Sequence, residues 1–175
     1  MKMLHVTIPI SLIVAFVAAD ATADGRNVGA RLASTEEVPA LSTNGHGVFL
    51  GTFSVGREEM TYELSYADLE GGVAQAHLHL GQRHVNGGIS IFLCTNLGNG
   101  PSGTQLCPPA PATIVGTVSA ADVIGPGGQG IEAGEWEEVR RAIEEGVVYV
   151  NVHTDLFPGG EIRGQLRLDQ RRDRP

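Results

Sequence analysis

Three histidines have the spacing and setting of transition-metal ligands. His77 and His79 lie in the stretch 73–80, Val-Ala-Gln-Ala-His-Leu-His-Leu, which alternates as a β-strand does. Because successive side chains of a strand point to opposite faces, the two imidazoles share one face with Gln75. Neutral imidazole is a common ligand of transition metals. The pair therefore predicts the beginning of a metal site on the polar face of a sheet.

A second alternating stretch carries the third candidate ligand. In residues 147–153, Val-Val-Tyr-Val-Asn-Val-His, one face carries Val148, Val150 and Val152, and the other carries Tyr149, Asn151 and His153. His84 follows His79 by five residues, in a predicted turn, and is the fourth candidate ligand; a solvated loop position is the equal alternative. His46 begins an early strand without an evident partner and is left out of the site.

The donor types indicate which metal such a site would take. An all-imidazole set in an oxidising compartment suits Cu(II) or Zn(II), and the usual affinity order favours copper. No carboxylate falls among the histidines, which argues against calcium and magnesium. Asp155 is more simply a polar turn residue than a group that fixes an imidazole tautomer. The competing interpretation is a cluster of surface histidines bonded to backbone or carboxylate groups.

An arginine on the last predicted strand completes the candidate constellation. In residues 162–168 the apolar positions point inward, which leaves Arg163, Gln165 and Arg167 outward. If this strand neighbours the one that ends in His153, a guanidinium would stand beside the imidazoles. Arg163 is therefore the candidate catalytic residue, since it would attract a small anionic oxidant such as superoxide.

The elements around the site predict an all-β protein. Glycine-rich turns separate short alternating segments, which favours an antiparallel β-sandwich. One helix, over 132–145, is predicted from the spacing of Trp136, Val139 and Ile143, with Gly146 as its stop. The predicted strands are residues 46–55, 60–66, 73–80, 89–94, 113–118, 147–153 and 162–168.

Composition and the chain ends predict an exported single domain. The 175 residues are 42% hydrophobic, enough for one core. Residues 1–23, with Lys2, an apolar run and a small-residue cleavage pattern, predict a signal peptide; 24–168 form the domain and 169–175 a polar tail. After residues 1–23, no apolar run is long enough to cross a bilayer, so no membrane anchor is predicted. A net charge of −8 argues against nucleic-acid binding.

The two cysteines, Cys94 and Cys107, favour a disulfide. An even pair in an exported protein is normally oxidised. A pair of thiolate metal ligands is the alternative, but it lacks close Cys-x-x-Cys spacing.

At these motifs the chain resembles the CHRD domain family, over about Ala30 to Leu168. The resemblance implies a secreted, immunoglobulin-like β-sandwich. The motifs that carry it are Glu37-Val38-Pro39, Ala76-His77-Leu78-His79, Asn86-Gly87-Gly88, the run from Tyr149 to Thr154 and the run from Pro158 to Leu166.

A weaker similarity connects the candidate site to copper–zinc superoxide dismutases. Those enzymes also have a His-x-His strand, a later loop histidine, a histidine near the C-terminus and an arginine on the final strand. The corresponding residues here are His77, His79, His84, His153 and Arg163. Because the long zinc loop is missing and the cysteines are placed differently, only a copper site carries over.

The predicted function is a copper-binding secreted protein with superoxide dismutase-like redox activity. A copper carrier or buffer with the same ligands is the first alternative. An extracellular interaction module without metal is the second. A zinc hydrolase ranks below these, since no general base is well placed.

Overall fold

The computed structural model describes residues 26–169. The predicted signal peptide, and the predicted tail apart from Asp169, lie outside the described residues. Within the described range no helix is long and apolar enough to cross a membrane. The elements are β1 (Asn27–Ala33), β2 (His46–Phe53), β3 (Glu59–Ala67), β4 (Val73–Leu80), β5 (Ile89–Thr95), β6 (Ala112–Ser119), α1 (Trp136–Glu144), β7 (Val148–Thr154), β8 (Ile162–Gln165) and β9 (Arg167–Leu168).

The strands form a nearly closed antiparallel sheet around one core, which confirms the all-β prediction. Their order is β5-β4-β7-β8-β1-β2-β3-β6, and β9 also pairs with β1. The two ends of this order lie close together. The Tyr62 hydroxyl on β3, the neighbour of the end strand β6, donates to the Leu93 carbonyl on the other end strand, β5, at 2.9 Å. The four strands β5, β4, β7 and β8, which carry the candidate site, are therefore consecutive neighbours.

Alternation along the strands supplies the core. On β2, Phe49 and Phe53 are buried while Leu50 and Thr52 between them are exposed. Burying one large apolar side chain contributes about 1.5–3 kcal/mol, so these inward faces supply most of the stabilisation. On the site-bearing strands the same inward face consists of Ala76, Leu78, Ile91, Leu93, Val148, Val150, Val152 and Ile162.

The last predicted strand is divided in two. Leu166 separates β8 from β9, and its backbone N–H donates to the Val148 carbonyl at 2.9 Å. β8 pairs chiefly with β7, whereas β9 pairs only with β1. The division thus marks the place where the chain passes from one neighbour to the other.

The predicted helix is present but begins four residues late. Gly134 has a φ of 88°, which interrupts the expected first turn, so α1 starts at Trp136. The Trp136 indole donates to the Arg57 carbonyl at 2.7 Å and lies edge-on to Phe53. Gly146, with a φ of 73°, ends the helix as predicted.

The Cys94–Cys107 disulfide is confirmed. Its Cα atoms are 5.1 Å apart, and it ties the end of β5 to the loop before β6. A cross-link over a loop of this length contributes about 3 kcal/mol by restricting the unfolded chain.

Candidate metal centre

The register of three strands brings the polar candidates into one patch. His77 pairs with Asn151 across β4 and β7, and Asn151 pairs with Arg163 across β7 and β8. His79 pairs with Tyr149 in the next row. Since directly paired residues of an antiparallel sheet point to the same face, all five side chains lie on one side of the sheet.

Within this patch the three strand histidines converge. The Nδ1 atom of His77 lies 3.1 Å from the Nε2 atom of His153. The ring centroid of His79 lies 5.3 Å from that of His77 and 5.8 Å from that of His153. One ring nitrogen from each residue falls within 4.8 Å of the others. The predicted meeting of imidazoles from separate strands is therefore present.

The polar face predicted for the histidines is present, but it is covered by the protein, and all three histidines are buried. The exposed fractions are 0% for His77, 7% for His79 and 6% for His153. The loop of residues 81–88 lies over the face, and the Gly87 carbonyl accepts a hydrogen bond from His79 Nδ1 at 3.0 Å. Alternation identifies which side chains share a face, but it does not show what covers that face.

Backbone carbonyls hold two of the rings in a metal-ready tautomer. His79 Nδ1 donates to Gly87, and His153 Nδ1 donates to the Pro158 carbonyl at 2.9 Å. A neutral imidazole that donates from Nδ1 keeps a lone pair on Nε2. Such a contact from the second ring nitrogen is the usual support of a metal-bound histidine.

Two buried ring nitrogens of the cluster lack any hydrogen-bond partner among residues 26–169. They are Nε2 of His77 and Nε2 of His79. Buried polar atoms in folded proteins are nearly always hydrogen-bonded, so unpartnered ones point to a missing ligand or to a functional role.

Burial keeps the three imidazoles neutral. It lowers the pKa of His77 to about 2, with help from the neighbouring His153 and His79, and lowers the pKa of His79 to about 4. The pKa of His153 is lowered by the same cause. Each ring therefore presents a lone pair rather than a second N–H at neutral pH, which is the form that binds metals.

Two aromatic rings fix the imidazole planes. The Phe92 ring on β5 lies edge-on to His77 at 4.3 Å, and the Tyr149 ring stacks on His79 at 4.8 Å with an interplanar angle of 5°. Sequence reasoning placed Tyr149 on the face of His153 without giving it a role. It missed Phe92, although alternation with Ile91 and Leu93 in the predicted strand 89–94 places this ring on the face opposite the core.

His84 does not join the cluster. It is exposed, has a φ of 64° in the loop of residues 81–88, and is not part of the group of converging nitrogens. Asp155 behaves as the predicted turn residue, since its carboxylate accepts the Gly72 backbone N–H at 2.7 Å. His46 is also exposed and contacts the Asn44 carbonyl.

Arg163 is also placed differently from the prediction, because it is 2% exposed rather than outward in solvent. Its guanidinium donates to the Val85 carbonyl at 2.8 Å, the Gln82 carbonyl at 3.1 Å and Asn86 Oδ1 at 3.0 Å. Its Cζ also lies 3.4 Å from the centroid of the Tyr149 ring. The arginine therefore fastens the covering loop to the sheet.

A buried carboxyl group lies beside this arrangement. Asn151 Nδ2 donates to Glu37 Oε1 at 2.5 Å, and Glu37 is 6% exposed. Burial raises the pKa of Glu37 to about 7, although the Asn151 contact and the charge of Arg163 oppose the rise. Its charge therefore changes close to neutral pH.

Replacing Gly87 with alanine is expected to displace the covering loop. An added Cβ would overlap the Leu80 carbonyl, which is backbone and cannot turn aside. We expect a loss of at least about 2 kcal/mol in the free energy of unfolding, measured by urea denaturation. Gly159→Ala is the matched control, because nothing lies within 4 Å of its added Cβ. Equal stability of the two variants would contradict the role given to the loop.

Fold and site together define an antiparallel β-domain with a buried histidine cluster and a disulfide. The chain belongs to the CHRD domain family, whose model matches residues 28–166. No protein of curated function and no solved structure gave a match. The family supports an extracellular interaction domain, and the disulfide is consistent with export.

Proposed function

We propose that this protein binds one copper ion through His77, His79 and His153. The observation that carries the proposal is the convergence of buried, neutral ring nitrogens from two strands. Two nitrogens bound to one ion at about 2.0–2.1 Å lie roughly 3 Å apart. The 3.1 Å between His77 Nδ1 and His153 Nε2 agrees with that separation.

A direct hydrogen bond between these two atoms is the simpler interpretation, and it explains less. It uses the contact between His77 and His153 but leaves Nε2 of His79 buried without a partner, whereas Nε2 of His77 has no partner under either interpretation. An unsatisfied buried polar group costs about 1–3 kcal/mol. Coordination would use the free lone pair of His79, whose ring is already oriented by Gly87.

The donor set favours copper over other ions. The group contains three imidazoles and no carboxylate, which disfavours calcium and magnesium. Copper(II) precedes zinc in the usual affinity order for nitrogen ligands. Zinc is therefore the competing ion, and copper would supply one-electron redox chemistry if it were accessible to a reactant.

Burial supports a holding site over a dismutase. All three histidines are at least nine-tenths buried, and the Arg163 donors are engaged with the loop of residues 81–88. An anion drawn to Arg163 would have to displace those backbone contacts. We therefore propose a copper carrier or buffer, with Arg163 positioning the covering loop.

The metal content of purified protein tests the proposal. Protein prepared without chelator or affinity tag is expected to bind close to one copper per chain in a titration followed by elemental analysis. Its electron paramagnetic resonance spectrum should show nitrogen hyperfine coupling. His77→Ala and His153→Ala should each lose this binding, whereas His84→Ala, which alters an exposed histidine, should keep it. Equal binding by all four proteins would refute the assignment.

A superoxide dismutation assay separates the holding site from an enzyme. The copper-loaded protein is expected to be no faster than the same concentration of free copper. A rate faster than that of free copper, which decreases in Arg163→Gln, would favour a superoxide dismutase over a copper carrier or buffer.

A further inference from the structure

A cavity of about 420 Å³ lies on the outer surface beside β1, away from the histidine cluster. Three arginines line it, each from a different part of the chain: Arg31 on β1, Arg83 in the loop of residues 81–88, and Arg167 on β9. Such a concentration is unexpected in a chain with a net charge of −8. We call this cavity the arginine pocket.

The strand register places two of these arginines close together. Arg167 pairs with Gly29 across β9 and β1, and Arg31 is two residues further along β1 on the same face. Diagonal neighbours of this kind lie about 7–8 Å apart. Gly29 leaves the floor between them open, since even an added Cβ would meet only the Phe49 carbonyl and the end of Leu50.

Among the described residues, the guanidinium groups of Arg31 and Arg167 have no ion-pair partner. Arg83 is paired with Glu36 through two hydrogen bonds, of 3.1 and 2.5 Å. Within residues 26–169, neither the Arg31 nor the Arg167 side chain makes a hydrogen bond or an ion pair. Two like charges on neighbouring strands repel each other, and an anion between them would remove that repulsion.

A fixed side chain and an apolar wall complete the pocket. Gln165 donates from Nε2 to the carbonyls of Gly81, Gly146 and Val148, which holds its side chain at the edge of the pocket. Leu50, which is 55% exposed, forms the apolar side. These features suit a ligand with a carbon skeleton as well as a charge.

We propose that the arginine pocket binds a small organic anion. Its carboxylate, sulfate or phosphate group would lie between Arg31 and Arg167, where guanidinium groups can form paired hydrogen bonds to oxygen atoms. Its carbon skeleton would rest against Leu50. This site is separate from the proposed copper site and does not depend on it.

Nuclear magnetic resonance titration of the wild-type protein tests the proposal. The probes are sodium sulfate, sodium phosphate and sodium glucuronate, each added at an ionic strength held constant with sodium chloride. We expect saturable shifts concentrated on the backbone amides of Gly29, Arg31 and Arg167. Glucuronate should bind more tightly than either inorganic ion, because only it has a carbon skeleton that can contact Leu50.

Charge-matched variants identify the groups responsible. Arg31→Gln and Arg167→Gln should each weaken glucuronate binding by at least about tenfold, since each removes a charge-assisted contact. Arg141→Gln makes the same charge change on the exposed side of α1 and should leave binding unaltered.

Three outcomes would overturn the proposal. The first is that no probe binds saturably. The second is that Arg141→Gln weakens glucuronate binding as much as the pocket variants do. The third is that an inorganic ion binds more tightly than glucuronate, which would show that the carbon skeleton makes no contact. Should a pocket variant fail to fold, the wild-type shift map still decides. Shifts spread over the whole surface would indicate screening by salt rather than a site.

Discussion

Copper is expected to raise the free energy of unfolding of the wild-type protein by about 4 kcal/mol at a free concentration 1,000 times the dissociation constant. The ligands come from β4 and β7, which are adjacent in the sheet but distant in sequence. The unfolded chain therefore has no preformed site, and binding energy at the cluster becomes folding energy. Urea denaturation with and without copper measures the difference.

The matched comparison uses each variant as its own reference. His153→Ala will lose packing as well as a ligand, so its stability without copper will be lower. What matters is the increment that copper adds, which should fall close to zero in His153→Ala and stay at the wild-type value in His84→Ala. A full increment in His153→Ala would show that copper binds elsewhere.

Metal-free protein is expected to lose stability as the pH falls below 6.5. His77 and His79 have folded pKa values of about 2 and about 4, below the ordinary histidine value of 6.5. The unfolded chain therefore binds protons that the folded protein does not bind. For each such residue the free energy of unfolding falls by about 1.4 kcal/mol per pH unit. Between pH 7 and pH 5 these two histidines lower the free energy of unfolding by about 4 kcal/mol.

Glu37 acts in the opposite direction over the same range. Its folded pKa of about 7 lies above its ordinary value of 4.5, so the folded state takes up a proton that the unfolded chain does not yet bind. This proton uptake raises the free energy of unfolding by about 2 kcal/mol between pH 7 and pH 5. The expected net loss is therefore at least about 2 kcal/mol, and more when the lowered pKa of His153 is included.

Urea denaturation at several pH values in the presence of a chelator measures this loss. Glu37→Gln should make the decline steeper, because it removes the opposing group. His77→Gln should make it shallower, because it removes one of the titrating imidazoles. A stability that is flat from pH 7 to pH 5 in all three proteins would contradict the burial of the cluster.

Much of the sheet was readable from the chain because strand alternation is a local signal. The stretch 73–80 forms β4 with the predicted bounds, and His77 and His79 share a face as expected. β1 was not predicted, although Val28 and Leu32 alternate with Asn27 and Arg31, because its glycine and two alanines have a low strand propensity and weaken the signal. The helix start was displaced because the backbone conformation of Gly134 cannot be read from helical spacing.

The setting of the candidate site could not be read in the same way. Arg163 was correctly assigned to the face opposite the core, but its contacts come from the loop of residues 81–88, about 80 positions earlier. A polar face with a loop over it has the same alternation as a polar face in water. Only tertiary structure distinguishes the two, which is why the burial of Arg163 and of the histidines was not predicted.

Hydrogen bonds fasten the loop of residues 81–88 over the histidine face, while its middle residues, 82–86, remain in solvent. A segment with little buried apolar surface opens locally at a small free-energy cost, far below that of global unfolding. An ion at the cluster would then enter and leave only as often as this segment lifts. The residence time of such an ion would then depend on the contacts that hold the loop closed, such as those of Arg163, so a mutation outside the ligand set would change the exchange rate.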